Sequence, residues 1–157
     1  MKKFLYYSKI LGSDFMLCQG PGGNTSYKQG RNIFIKKSGF HLSESNENSF
    51  LKIDFTKILD FYKNKPDHSE KYENSLSIET PLHVLSKAKY VFHFHSIASI
   101  ICSLLYKKSD LDKLLIKEKI LPISYIRPGL ELAEEVNLLN NHCLLYTSDA
   151  ADEEDSV

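Results

Sequence analysis

The sequence reads Tyr90-Val91-Phe92-His93-Phe94-His95-Ser96 just past its midpoint. Apolar residues and histidines alternate here, which is typical of a β-strand, where successive side chains point to opposite faces. His93 and His95 would then share one face of the strand. Two neighbouring imidazoles on a strand can hold one metal ion. Taken alone, the pattern is equally compatible with two histidines that face solvent or bind protein groups.

A short helix is predicted before this strand, where residues 77–83 read Ser-Ile-Glu-Thr-Pro-Leu-His. Ser77 is a favourable N-cap and Pro81 is tolerated only near a helix start, so the helix should begin close to Glu79. A carboxylate in a first turn ordinarily compensates the helix dipole. Because this helix leads directly into the histidine strand, Glu79 could instead lie beside a bound metal as a proton carrier rather than as a ligand. We expect His83, one turn later, to pack near the site.

Two turns of small residues lie further upstream. Residues 19–28 read Gln-Gly-Pro-Gly-Gly-Asn-Thr-Ser-Tyr-Lys, and the predicted strand at 32–36 ends in Lys-Ser-Gly at 37–39. Glycines let backbone N–H groups approach a ligand closely, and the polar side chains beside them add hydrogen bonds. Neither turn has the spacing of a nucleotide P-loop or of a dinucleotide fingerprint. A glycine-rich loop is often a plain turn, but two such turns together could form an anion pocket.

In this order, the segments resemble the class II aldolase/adducin family, through Gly23-Asn24-Thr25-Ser26, Lys36-Lys37-Ser38-Gly39, Ser77-Ile78-Glu79-Thr80 and His93-Phe94-His95. The resemblance continues into residues 123–133 and covers the chain from Tyr6 to about Val136. It implies an α/β fold, a three-layer α/β/α sandwich around a mostly antiparallel central sheet, over residues 1–142. It also implies that the full-length protein forms a homo-oligomer, a homotetramer.

The resemblance further implies a role for each matching residue. His93 and His95 would hold a divalent metal, most often zinc, together with a third histidine. That third ligand is either His142 or a residue beyond the end of this chain, and we interpret His142 as the end of a helix. Glu79 would be the acid/base. The earlier motifs would bind the anionic end of the substrate through Asn24, Ser38, Gly39 and Ser77. Lys36 would lie nearby and contribute positive charge.

Two classes of function are compatible with these residues. The first is a metal-dependent aldolase or lyase that cleaves a C–C bond in a hydroxy-carbonyl substrate through an enediolate, or an epimerase with the same equipment. The second is a non-catalytic binding or scaffold module, because the adducin branch of the family keeps the fold without the metal site. The presence of His93, His95 and Glu79 together favours the enzyme.

One residue departs from the pattern of the phosphate-handling members. These often carry a second serine just before the glutamate, where this chain has Ile78. The loss of one hydroxyl contact favours a carboxylate or a weakly held phosphate over a tightly bound phosphate. Ser-Ile-Glu-Thr at 77–80 is similar to the aldolase part of larger aldolase/dehydrogenase proteins.

The last fifteen residues, 143–157, are strongly acidic, and we interpret them as a non-native, adapter-derived tail that ends a truncated domain. The alternative is a genuine acidic tail. The whole chain has 20 basic and 20 acidic residues, but five of the acids lie in this tail. The remainder is therefore mildly basic, which suits an anionic small-molecule substrate and is too diffuse for nucleic acid.

The other expectations concern organisation and location. Apolar spacing and caps predict helices near 3–11, 54–62, 96–105, 110–117 and 129–139, and strands at 25–28, 33–36, 50–53 and 120–126. On the helix at 110–117, Leu111, Leu114 and Leu115 should form the buried face. We find no signal peptide or membrane span in the sequence, so we expect a cytoplasmic protein without membrane contacts.

Overall fold

A four-stranded antiparallel sheet forms the centre of the molecule in a computed structural model, which describes residues 1–65, 70–139 and the backbone of 144–146. The strands are β1 (Asn24–Gln29), β2 (Asn32–Lys36), β3 (Phe50–Asp54) and β4 (Tyr90–His93), and they lie in the order β3-β2-β1-β4. A parallel pair, β5 (Leu121–Ile123) and β6 (Leu144–Tyr146), lies apart from this sheet. The predicted strands at 25–28, 33–36 and 50–53 are confirmed.

Six helices connect and cover the strands in the described part of the chain. In chain order they are α1 (Lys2–Gly12), α2 (Phe55–Lys63), α3 (Thr80–Leu85), α4 (Ile97–Leu105), α5 (Lys108–Lys117) and α6 (Leu130–Leu139). Asp54 caps α2, because its carboxylate accepts hydrogen bonds from the backbone N–H groups of Thr56 and Lys57. Ser96 caps α4 in the same way. The predicted helices are thus confirmed at their starts, to within one or two residues.

The two faces of the sheet are covered by different helices. On one face, Ile33 and Ile35 of β2 are fully buried in a cluster with residues of α2 and α3. On the other face, Phe34 of β2 stacks on Tyr27 of β1, and both belong to a cluster with Phe4 of α1. Because successive side chains of a strand point to opposite faces, β2 contributes residues to two cores, one on each face of the sheet. The expected three-layer α/β/α arrangement around an antiparallel sheet is confirmed.

Two expectations about the second half of the chain are wrong in detail. The strand predicted at 120–126 is only three residues long, because it pairs with the equally short β6. On α5, Leu111 and Leu115 are buried, but the side chain of Leu114 is 52% exposed. Leu111 and Leu115 lie at the centre of the buried helix face, whereas Leu114, three positions after Leu111, lies at its solvent edge.

The end of the chain is only partly described. Residues 144–146 form β6, whereas His142 and the rest of the predicted tail at 143–157 lie outside the described residues. The predicted boundary between 142 and 143 therefore stays a prediction. Among the described helices, none has both the length and the apolar character needed to cross a membrane.

Candidate functional site

Three side chains that the sequence singled out come together beside the sheet. Glu79, His93 and His95 each offer one atom that can bind a metal, and these atoms all lie within 4.8 Å of one another. The Nδ1 atom of His93 lies 3.0 Å from Oε2 of Glu79. The imidazole ring centres of His93 and His95 are 4.9 Å apart. Imidazole nitrogens and a carboxylate are the donors that zinc accepts in proteins, so the residues present fit a divalent metal.

The two histidines are held by different parts of the backbone. His93 is the last residue of β4 and lies opposite Asn24 of β1. His95 lies beyond the strand, where its backbone N–H donates to the carbonyl of Leu17 at 3.0 Å. The prediction that both histidines belong to one strand is therefore wrong for His95. The chain leaves the sheet after His93 because its backbone pairs with the 16–17 segment instead of a strand.

The glycine-rich loop reaches this histidine segment closely. A Cβ atom on Gly22 would lie 3.6 Å from Nδ1 of His95 and 2.8 Å from the carbonyl oxygen of Gln19. Gly23 has a φ of +72°, and a Cβ there would lie 3.0 Å from the carbonyl oxygen of His93. Gly22 thus allows the tight turn of the loop itself, and Gly23 allows the loop to pack against the backbone of His93.

Asn24 follows these glycines and lies next to the cluster. Directly opposed residues of an antiparallel pair point to the same face, so Asn24 and His93 share the face that α3 covers. The Asn24 side chain is only 2% exposed, and within the described residues its Oδ1 atom has no hydrogen-bond partner. Buried polar atoms are rarely left unpaired, so this oxygen is free to accept a hydrogen bond from a donor group at the site.

Lys36 connects the two small-residue turns. Its buried ammonium group donates to the carbonyl oxygens of Pro21 at 3.1 Å, Lys37 at 3.2 Å and Phe40 at 2.8 Å. Burial lowers the pKa of Lys36, while the opposite charges of Cys18 and Glu79 act to raise it. Lys36 therefore holds the glycine-rich loop against the 37–40 turn and brings a buried amine close to Glu79.

The remaining candidates lie where the second turn meets the start of α3. The backbone N–H of Ser38 donates to the carbonyl of Ser75 at 2.7 Å, and Gly39 has a φ of +78°. The Ser77 hydroxyl accepts a hydrogen bond from the Glu79 N–H at 3.3 Å, but the prediction that Ser77 is the helix N-cap is wrong, because the helix begins later than Ser77 requires. Helix α3 itself begins at Thr80, with Glu79 in the N-cap position.

The charges in the cluster are strongly coupled. Burial acts to raise the pKa of Glu79, but the positive charge of His93 and its hydrogen bond outweigh burial and lower this pKa to about 2. Burial, together with the charge of His93, lowers the pKa of His83 to about 3, against the opposing effect of Glu79. Glu79 is therefore a carboxylate and His83 a neutral imidazole near neutral pH.

Sequence reasoning missed two residues that support this site. Ser26 and Lys28 alternate with Asn24 along β1, so the three point to the same face. The Ser26 hydroxyl lies 2.8 Å from Nδ1 of His83, which is buried near the site as expected. Lys28 donates to carbonyl oxygens at the end of α3, and burial lowers its pKa to about 8. Strand alternation alone could have placed Ser26 and Lys28 beside Asn24.

Comparisons with known proteins bear on the family to which the chain belongs. Residues 2–150 match the family model of the class II aldolase and adducin N-terminal domain. A Bacillus subtilis (strain 168) protein named uncharacterized oxidoreductase YuxG is 30% identical over 159 residues, which cover 87% of this chain and 23% of the relative. The chain thus spans about a quarter of the length of that relative.

Solved structures share the fold. The N-terminal class II aldolase domain of a conserved protein from Thermoplasma acidophilum superposes with a TM-score of 0.76 at 26% identity, over 92% of this chain and 78% of that one. L-fuculose-1-phosphate aldolase from Thermus thermophilus gives a TM-score of 0.65 at 17% identity, over 94% and 77%. YgbL from Escherichia coli, a putative aldolase/epimerase/decarboxylase, gives 0.64 at 16% identity, over 93% and 73%. By its sequence match over most of its length and by its fold, the chain belongs to the class II aldolase and adducin N-terminal domain family.

Proposed function

We propose that the protein is a metal-dependent, aldolase-type lyase that cleaves a C–C bond in a hydroxy-carbonyl substrate through an enediolate. The observation that carries this proposal is the cluster of Glu79, His93 and His95. A scaffold module of the same fold would have no use for two imidazoles and a carboxylate within bonding distance of one ion. Membership of the family and the superposition on a fuculose-phosphate aldolase are consistent with the proposal.

In this proposal His93 and His95 hold the metal, which we take to be zinc. A bound divalent ion would polarise the carbonyl and neighbouring hydroxyl oxygens and stabilise the negative charge that develops when the C–C bond breaks. The hydrogen bond from its backbone N–H to Leu17 keeps His95 in place, and β4 fixes His93. The third ligand that the sequence suggests, His142 or a later residue, lies outside the described residues.

Glu79 is proposed to move the proton. Its carboxylate can take a proton from a substrate hydroxyl or carbon and return it. Its contact with His93 Nδ1 holds it beside the place where substrate would bind. General acid/base catalysis of this kind contributes about 10²–10⁴-fold to a rate.

The anionic end of the substrate is proposed to bind between the two small-residue turns. Asn24 would donate from its side-chain NH₂ group, Ser77 from its hydroxyl and Gly39 from its backbone N–H, whereas the Ser38 N–H already donates to Ser75. The buried Lys36 ammonium lies between the same turns and contributes positive charge. Ile78 presents an apolar side chain, 45% exposed, where the phosphate-handling pattern has a hydroxyl. We therefore propose a carboxylate or a weakly held phosphate as the anionic group.

Self-association is also part of the proposal. Helix α4 is strongly apolar, and none of its residues is buried. Leu104 and Leu105 at its end are 75% and 76% exposed. An apolar patch of this kind marks an interaction surface. We propose that copies of this chain associate through α4.

Metal analysis combined with a product assay tests the enzymatic proposal. The protein is loaded with Zn²⁺ and compared with a His93→Ala/His95→Ala variant by elemental analysis. Both are then incubated with phosphorylated and carboxylated hydroxy-carbonyl compounds, and the products are followed by NMR. We expect one metal per chain, lost in the variant, and cleavage into two carbonyl fragments. Equal metal content in both proteins would exclude the metal site, and a change of stereochemistry without cleavage would identify an epimerase.

A further inference from the structure

Helix α3 carries Glu79 at its start and is only six residues long. Such a short helix has little stability of its own and takes its position from the surface beneath it. Helix α3 packs against α2, α6 and β2, and hydrogen bonds from β1 join it to the inner face of the sheet. The position of α3 on this face therefore determines where the Glu79 carboxylate lies.

Contacts from β1 reach α3 at its middle and at its end. In the middle, the Ser26 hydroxyl lies 2.8 Å from Nδ1 of His83, which is one turn after Glu79. At the end, the Lys28 ammonium donates to the carbonyl oxygens of Val84, at 3.3 Å, and of Ser86. The first contact is completely shielded from water, because Ser26 is 1% and His83 0% exposed.

His83 is an unusual choice for a core position. Its ring has a buried Nε2 atom with no hydrogen-bond partner in the described part of the chain. A leucine would fill the same space without leaving a polar atom unpaired. Buried polar groups of this kind call for a specific explanation, and here the partner of Nδ1 supplies one. A hydrogen bond fixes both the distance and the direction between helix and strand, which apolar packing does not.

We propose that the Ser26–His83 hydrogen bond is a positioning device that holds α3 on β1 and thereby keeps the Glu79 carboxylate against His93. The inference rests on the proposed metal site, since Glu79 matters to the metal only if His93 and His95 bind it. Neither Ser26 nor His83 belongs to the candidate metal cluster. Both would act through Glu79, whose negative charge beside a bound ion would strengthen metal binding.

A double-mutant cycle on Zn²⁺ affinity tests the inference without a substrate. The wild type, Ser26→Ala, Glu79→Gln and the double variant are titrated with Zn²⁺ in a calorimeter. We expect Ser26→Ala and Glu79→Gln each to weaken Zn²⁺ binding about tenfold, the lower end of the effect of residues around a metal site. The double variant should bind as weakly as Glu79→Gln alone, because Ser26 has no route to the metal except through Glu79.

Two further variants separate positioning from simple packing. Thr25→Ala removes a hydroxyl from the same strand, where Thr25 and Ser8 form a buried hydrogen bond of 3.0 Å on the opposite face of the sheet. This variant should lose thermal stability and keep its Zn²⁺ affinity. His83→Asn retains a hydrogen-bonding atom near the place of Nδ1 and should restore most of the affinity that His83→Leu loses.

Each result decides between the possibilities. The inference is overturned if Ser26→Ala does not weaken Zn²⁺ binding. It is also overturned if Ser26→Ala weakens Zn²⁺ binding equally in the wild type and in Glu79→Gln. A Glu79→Gln variant that binds Zn²⁺ as tightly as the wild type also overturns it, because the carboxylate would then have no influence on the metal. Unchanged Zn²⁺ binding in His93→Ala/His95→Ala instead shows that the proposed metal site itself is wrong.

Discussion

Glu79 and His93 meet across the gap between the start of α3 and the end of β4, with Oε2 of the carboxylate 3.0 Å from Nδ1 of the imidazole. Histidines that bind metals commonly donate their second ring N–H to a carboxylate, which fixes the ring and raises its basicity. The same carboxylate is the only acidic group that joins the two histidines in a candidate metal site within the described residues. One side chain is thus placed both to orient a ligand and to exchange a proton with substrate.

Glu79→Gln separates these two roles. The glutamine has the same shape and can accept a hydrogen bond from His93, but it cannot take up a proton. At saturating Zn²⁺ we expect unchanged folding and full metal occupancy, with turnover lower by about 10²–10⁴-fold. Steady-state kinetics and elemental analysis of the same sample measure both. Turnover close to that of the wild type would remove Glu79 from the mechanism.

The sequence predicted the members of this cluster but not the way they are held. Alternation in β4 correctly placed His93 and Phe92 on opposite faces of the strand, and the cap pattern correctly placed Glu79 at a helix start. His95 could not be placed by the same reasoning, because its position depends on a backbone hydrogen bond to Leu17, far away in sequence. Local periodicity carries no information about such a pairing.

The surroundings of the Lys36 charge also could not be predicted from the sequence. The sequence marked it as a positive residue near an anion pocket, and the structure reveals three backbone carbonyls around its ammonium. These carbonyls belong to two turns that only the folded chain brings together. A sequence pattern can identify a lysine beside a turn, but it cannot show how many of its donors the protein already uses.

Gly23→Ala should damage the site more than its backbone strain alone explains. Gly23 has a φ of +72°, and a Cβ would also lie 3.0 Å from the His93 carbonyl oxygen and 3.1 Å from Sγ of Cys18. Gly30 is a matched control, because its φ is +58° but nothing lies within 4 Å of its Cβ position. Each substitution should cost about 1–2 kcal/mol of strain. Only Gly23→Ala should also weaken Zn²⁺ binding in a titration, and equal effects in the two variants would contradict this.

Asn24→Ala should affect the binding of an anion rather than the stability of the fold. The unpaired Oδ1 contributes no hydrogen bond within the described residues, so its removal should change the urea midpoint little. Loss of a charge-assisted hydrogen bond from the side-chain NH₂ group to the substrate should raise KM for an anionic substrate about 10- to 100-fold. The KM of a neutral analogue should change much less. If both substrates suffer equally, Asn24 holds the turn and does not bind the anion.

Substitution of Leu104 and Leu105 by glutamate should abolish self-association. Both side chains are largely exposed at the end of α4, so the change should leave the monomer folded. Sedimentation velocity should show a shift from an oligomer to a monomer. Leu138→Glu is the control, because Leu138 is 77% exposed on a different helix, α6. A monomeric wild type, or dissociation by Leu138→Glu alone, would show that α4 is not the interface.

His83 should make the fold sensitive to acid. Burial lowers its pKa to about 3 in the folded chain, whereas in the unfolded chain the pKa is the ordinary 6.5. Between these two values the unfolded state binds one proton more, so the free energy of unfolding falls as the pH drops below 6.5. The contribution of one such group is about 1.4 kcal/mol per pH unit at most. His83→Asn has no group that titrates here, so urea unfolding in the presence of EDTA, from pH 7.5 down to 5, should show a shallower decline for the variant. Parallel pH curves for the two proteins would show that His83 takes up its proton equally in the folded and unfolded states, and the buried neutral imidazole would have to be abandoned.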